Sequence, residues 1–159
     1  MKQIDLSVIA ASFDLRGRFV DGGEYGSGHI NDTFAIRLDD GGDRVRYVLQ
    51  RVNQDVFKNV PALMDNVDRA TRHISASLEQ RNVPDRSRRV MSLIPTTDGA
   101  PFHIDPAGGY WRAFNFIEGT TSYDVLIEDD QAYQIARAFG RLQAMLSDLP
   151  EPPLHETIP

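Results

Sequence analysis

YGSGHINDT, Tyr25 to Thr33, decides how the first half of the chain is read. Gly26 and Gly28 stand at the spacing of a phosphate-cradling loop, and Asn31 occupies the place where a third glycine is often found. Glycines let backbone N–H groups turn inward around an anion with no side chain in the way, yet two glycines before an Asn-Asp pair would equally make a tight turn. What flanks the stretch separates the versions. A dinucleotide-binding loop runs into a helix, and a Walker loop needs Gly-Lys-Ser/Thr before a helix. Here no lysine is present, and Thr33 to Leu38 alternates, with Phe34, Ile36 and Leu38 on one side, so a strand follows. A glycine loop joining two antiparallel strands is the arrangement in which a hairpin covers phosphates from above.

Working outward, Phe19-Val20 begins the strand before the glycines, and RVRYVLQRV, Arg44 to Val52, alternates again after the turn formers Asp39-Asp40-Gly41-Gly42-Asp43. The first third is thus a three-stranded meander. Asn59 caps a helix whose apolar positions Val60, Leu63, Met64, Val67, Ala70, Ile74 and Leu78 keep the i, i+3, i+4 spacing, with Pro61 in its first turn and an end near Asn82-Val83-Pro84. Strands follow at Val90 to Ile94 and Tyr110 to Ile117, with turn chemistry between them and a third short strand placed at Phe102-His103-Ile104. After Glu118-Gly119 an amphipathic helix runs from about Asp129 to Leu149, closed by Pro150. The fold class expected is α+β: an antiparallel five-stranded sheet with one helix over residues 1–117, then a connector and helical segment over 118–159.

Composition narrows the function classes. A chain of 159 residues can bury a substantial core. Its net charge of −6 excludes partners held by a broad basic surface, so no nucleic acid is expected. No stretch approaches the roughly 18 apolar residues of a membrane span, and the start lacks a signal-peptide layout, so the protein reads as cytoplasmic and free of membrane contact. There is no cysteine, hence no disulfide framework and no thiolate metal site. His29, His73 and His155 are too scattered to form a metal-ligand pattern, and no metal-binding residue is assigned. Lysine is confined to Lys2 and Lys58, which matters because phosphate sites often use it.

A phosphate-covering hairpin makes demands on the elements after it. The third strand must supply a group to hold phosphate, and Gln50 and Arg51 are adjacent, so only one can face the cleft. Arg51 is favoured, because a permanently charged guanidinium binds phosphate bidentately. Its partner on the helix is left open among Asp65, Asn66 and Asp68. The run Trp111 to Gly119, WRAFNFIEG, fits a strand entering a hinge whose backbone can meet an adenine. Asn31 is expected to cap its own turn through its side chain.

With these residues assembled, the chain resembles the aminoglycoside phosphotransferase and choline kinase-like family, and within it the N-acetylhexosamine 1-kinase branch of sugar kinases. The stretches that carry the likeness are GHINDTF (28–34), YVLQRVNQDVFKN (47–59), LMDNV (63–67), WRAFNFIEGT (111–120) and AFGRLQAMLSDLPEPPLHETIP (138–159), which together span nearly the whole chain. The resemblance implies a two-lobed protein-kinase-like fold, ATP with Mg²⁺, and transfer of the γ-phosphate to a sugar hydroxyl. It also implies a phosphate loop of Gly26, Ser27, Gly28, His29, Ile30, Asn31, Asp32 and Thr33. Arg51, beside Gln50, would stand where other kinases place lysine, and Asn115, Phe116 and Ile117 would form the adenine hinge.

Kinase chemistry also needs an H-x-D-x-x-x-x-N loop beyond the hinge. His103-Ile104-Asp105 precedes the hinge, and Tyr110 stands where the Asn should be, so this H-x-D reads as a hairpin. The chain is therefore expected to be the N-terminal part of a kinase, truncated before its catalytic loop and without turnover alone. Its last long helix, lacking a lobe to pack on, would expose Phe139, Leu142 and Leu146 and could drive self-association. Two other readings are a kinase-like regulatory module without catalysis, and a plain α+β interaction domain with no nucleotide affinity.

Overall fold

The computed structural model describes residues 4–121, 123–126 and 128–158. Helix α1 (Leu6–Ala10) opens the fold, and its N-cap Asp5 accepts a hydrogen bond from the Ser7 amide at 3.0 Å. The strands are β1 (Arg18–Glu24), β2 (Asp32–Asp40), β3 (Asp43–Arg51), β4 (Leu93–Ile94), β5 (His103–Ile104) and β6 (Tyr110–Asn115). The long helices are α2 (Val60–Gln80) and α3 (Asp129–Leu146), and a single 3-10 turn covers Arg86–Arg88. Asn59 caps α2, its Oδ1 accepting from the Ala62 amide at 3.1 Å.

All pairings are antiparallel, in the order β1-β2-β3-β6-β4, with β5 also on β6. The sheet therefore has six strands rather than five, and α1 is a second helix that the sequence reading lacked. A five-residue helix is too short to display a period; the sixth strand is the short one placed at Phe102-His103-Ile104, which pairs with β6 as His103–Ile104. The proposed strand over Val90 to Ile94 shrinks to Leu93–Ile94 because Asn115 reaches across it. Its Oδ1 accepts from the Ser92 amide at 2.5 Å and its Nδ2 donates to the Ser87 carbonyl at 3.2 Å, so side-chain bonds take the Ser87 and Ser92 groups while the Asn115 amide donates to the Ser92 carbonyl at 3.1 Å.

Register sorts the side chains onto two faces. Phe34 lies opposite Leu49, Ile36 opposite Tyr47, and Leu49 opposite Ala113, so these share a face with Trp111 and pack against Ile9, Ala10 and Phe13. Burying those residues supplies the main apolar contribution to folding. On the reverse face Val60 and Met64 of α2 close over Val52, Leu93, Phe102 and Tyr110. Between these lie Thr33, Ala35, Val48, Gln50, Arg112 and Phe114, which by alternation all face the α2 side.

The segment after α3 returns to α2 and is tied there by polar contacts. Asn66 donates to the His155 carbonyl at 2.9 Å and accepts from its amide at 2.8 Å, and Arg69 donates to the carbonyls of Pro150, Pro152 and Pro153. His73 meets Asp148 at 2.9 Å, and His155 meets Asp65 at 3.1 Å. Phe139 and Leu142 of α3 are exposed, whereas Leu146 is half-buried. No helix among the described residues is long and apolar enough to cross a membrane.

Candidate functional site

The glycine hairpin is closed at its base by the Tyr25 amide, which donates to the Thr33 carbonyl at 2.9 Å. Gly26 takes a φ of +84°, a conformation that L side chains rarely adopt. Gly28 needs no such conformation, and a Cβ added at either glycine would meet nothing within 4 Å. The space beside them is open among the described residues. His29 and Ile30 are exposed at the tip.

Three contacts fix where the loop sits. Ser27 Oγ donates to Asp124 Oδ1 at 2.6 Å, which ties the loop to the connector beyond the hinge. The Tyr25 ring meets the edge of Phe116 with centroids 5.3 Å apart, and the Arg46 guanidinium lies 3.8 Å over the same Phe116 ring. Asn31 Oδ1 accepts from the Asn53 amide at 3.0 Å. Asn31 thus bridges the loop to the segment after β3 instead of capping its own turn, because the register of β2 and β3 brings Asn53 beside it.

The third strand divides its two candidates between the faces. Gln50 turns to the α2 face, where its Nε2 donates to Thr33 Oγ1 at 2.9 Å and its Oε1 accepts from Arg112 Nε at 3.0 Å. Arg51 turns to the α1 face. It pairs with Asp32 at 2.5 and 2.7 Å and lies 6.0 Å from the Trp111 ring centroid. None of the three α2 candidates partners it. Asp65 serves His155 and Arg69, Asn66 serves the His155 backbone, and Asp68 pairs with Arg72 at 2.7 Å. The partner of Arg51 comes from the neighbouring strand because β2 and β3 place Asp32 directly opposite it.

Of the hinge residues, Asn115 spends its side chain on Ser87 and Ser92, and the Phe116 amide donates to the Arg46 carbonyl at 3.4 Å. The Ile117 carbonyl accepts from Thr120 Oγ1 at 3.1 Å. Glu118 pairs with Arg46, whose bidentate hydrogen bonds hold its carboxyl below the usual glutamate range. Gly119 turns the chain at a φ of +64°.

His103 and Asp105 fold as a hairpin turn. Asp105 Oδ1 accepts from the amides of Ala107 and Gly109 at 2.8 and 2.9 Å, and Oδ2 accepts from the Trp111 indole at 2.7 Å. Partial burial pushes the Asp105 carboxyl up, but the Trp111 indole, the two amides and the Arg51 charge together hold it below the usual aspartate range. A depressed folded value stabilises the fold above the unfolded value, and that contribution is lost as pH falls through the folded one. Asp105→Ala is expected to cost about 1–3 kcal/mol near neutrality, since it strands the buried indole N–H. In urea titrations read by the single tryptophan, the gap from the parent chain should narrow at pH 3 and below; a gap independent of pH would show that the carboxylate charge contributes nothing.

Among the described residues no three His, Cys, Asp or Glu side chains gather into a metal-holding group. Asp32 is committed to Arg51 and Asp124 to Ser27. The described residues therefore do not fit a protein-built Mg²⁺ site.

Sequence reading missed Arg112, Ala35, Val48 and Asp124. The first three are ordinary strand residues whose facing depends on register, and the fourth is adjacent to the hairpin only after the chain has turned through the hinge. The six-stranded antiparallel sheet, the α2 helix on one face and the glycine hairpin define an α+β fold of the protein-kinase N-lobe kind. The chain matches the phosphotransferase enzyme family over residues 21–158 and belongs to that family, the aminoglycoside phosphotransferase and choline kinase-like group.

Proposed function

We propose that this chain is the nucleotide-binding part of an ATP-dependent small-molecule kinase, with residues 1–117 as the nucleotide lobe and 118–159 as the hinge and start of a second lobe. The observation that supports it most is the meeting of glycine hairpin and connector on the α2 face, through Ser27 with Asp124 and Tyr25 with Phe116. Ala35, half-buried, lies in the ladder on that face beside the largely buried Val48 and Phe114, and together they would form the apolar floor under an adenine ring. The backbone N–H groups of Gly26, Ser27 and Gly28 would meet phosphate oxygens, and backbone groups of Asn115 to Ile117 the adenine edge.

The acceptor in this reading is a sugar hydroxyl, that of an N-acetylated hexosamine. Its support is the likeness of GHINDTF and WRAFNFIEGT to sugar kinases of that kind. These 159 residues contain no H-x-D-x-x-x-x-N pattern, so by themselves they are expected to bind nucleotide without turning it over. Phosphoryl transfer rests on positioning and charge neutralisation, and these residues supply the nucleotide side of both.

Calorimetric titration with Mg-ATP, followed by an ADP-release assay with N-acetylhexosamines, tests the reading. Saturable binding with no release above the acceptor-free background is expected. Absence of binding at millimolar ATP would overturn it, and ADP release would overturn the assignment of an incomplete catalytic set.

A further inference from the structure

Every strand cation beside the candidate site except one has a carboxylate. Arg37 pairs with Asp21, Arg46 with Glu118 and Arg51 with Asp32. Arg112, the most buried of the four, has no carboxylate within 4.0 Å among the described residues. Its Nε donates to Gln50 Oε1 at 3.0 Å, its Nη1 lies 3.9 Å from the Met64 thioether, and the guanidinium carbon sits 5.3 Å from the Phe114 ring centroid. A thioether is a weak acceptor and a ring face satisfies no N–H in full. Burial alone pushes the guanidinium's pKa down, the direction expected of a charge with no compensating anion. Keeping such a charge in an apolar setting is costly unless an anion arrives to meet it.

The donors left over are reachable. Nη2 makes no hydrogen bond with a described residue, yet no side-chain nitrogen among them is both fully buried and unbonded, so Nη2 retains contact with the outside. The position is also the right one. Arg112 lies directly opposite Gln50 in the ladder, and Gln50 lies opposite Thr33, the last residue of the glycine hairpin. Thr33 Oγ1, the Gln50 amide and the Arg112 guanidinium form one hydrogen-bonded row from the loop toward α2, with the amide oriented so that its oxygen holds the cation.

Resting on the nucleotide reading above, we propose that Arg112 of β6, held by Gln50 of β3, supplies the positive charge that meets the polyphosphate of the nucleotide on the α2 face. The third strand presents an uncharged amide there, and the arginine next to that amide, Arg51, faces the other way. The cation is thus delivered from the adjacent strand, one rung across the ladder. Arg51 takes a different role, fixing the base of the hairpin through Asp32 from the α1 side.

Arg112→Met removes the charge, keeps similar length and adds an apolar neighbour to Met64. Removing an unpaired buried charge leaves folding intact or improves it. Gln50→Glu is the second variant: it gives Arg112 a carboxylate of the same shape and so neutralises it without emptying the site. Titrations with Mg-ATP and with adenosine, on chains whose thermal melting stays cooperative, separate charge from shape. Both variants are expected to weaken ATP by about 10- to 100-fold, the loss of one charge-assisted contact, while adenosine affinity stays within about twofold. Arg112→Lys should recover part of the ATP affinity. ATP affinity within about twofold of the parent in both variants would overturn the assignment while leaving the nucleotide reading intact. Equal losses for ATP and adenosine would overturn it as well, by showing a role in shape alone. A parent chain that binds neither compound would sink both readings together.

Discussion

Trp111→Ala is expected to remove about 3–5 kcal/mol of stability, the range for deleting a buried aromatic side chain. Trp111 is fully buried at the centre of the larger apolar cluster, stacked at a tilt on Phe34 with centroids 5.8 Å apart. Its indole N–H also holds Asp105, and the Arg51 guanidinium lies 6.0 Å from its ring centroid, so one truncation empties a cavity and loosens two polar neighbours. Ordinary domains hold only about 5–15 kcal/mol in total, so the variant should be substantially unfolded by mild urea or modest heating. Trp111→Phe separates the two parts. It keeps most of the apolar fill and strands the Asp105 carboxylate, for an expected cost of about 1–3 kcal/mol. Denaturant titrations read by far-ultraviolet circular dichroism measure both, and equal costs for the two variants would assign the stability to the hydrogen bond instead of the core.

The second large effect concerns the α2 face. Ala35→Trp is expected to weaken ATP at least about tenfold, because the new ring would occupy the surface offered to adenine beside Val48 and Phe114. The position suits the test because Ala35 is half-buried and tryptophan is well tolerated at a half-open strand site. Unlike Arg112→Met, this substitution should weaken adenosine as much as ATP. Undiminished binding of both by a stably folded variant would place the nucleotide elsewhere.

How much of this was legible beforehand depends on the range of the interactions involved. The three meander strands and α2 were readable because their signals are local. Phe34, Ile36 and Leu38 alternate, Asn59 caps, and Val60 through Leu78 keep a helical period. The glycine hairpin was readable because the elements on both sides of it are strands. Short elements were not. Helix α1 has five residues, too few to show a period, and its existence depends on contacts with the sheet beneath; β5, placed from the turns on either side of it, was the exception.

The sequence by itself determined that one of Gln50 and Arg51 would face α2 and the other would not, since neighbouring strand residues alternate. It could not determine which. Facing is decided by which side of the sheet is buried under α1 and which under α2, and by the ladder that sets Asp32 opposite Arg51 and Arg112 opposite Gln50. These are contacts between residues tens of positions apart, and no local pattern records them. The charge of Arg51 made it the stronger candidate in a linear reading. In the folded chain Asp32 already neutralises that charge, whereas Arg112, unremarkable in the sequence, stands on the α2 face with no carboxylate partner among the described residues because tertiary burial, not composition, decides which charges remain uncompensated.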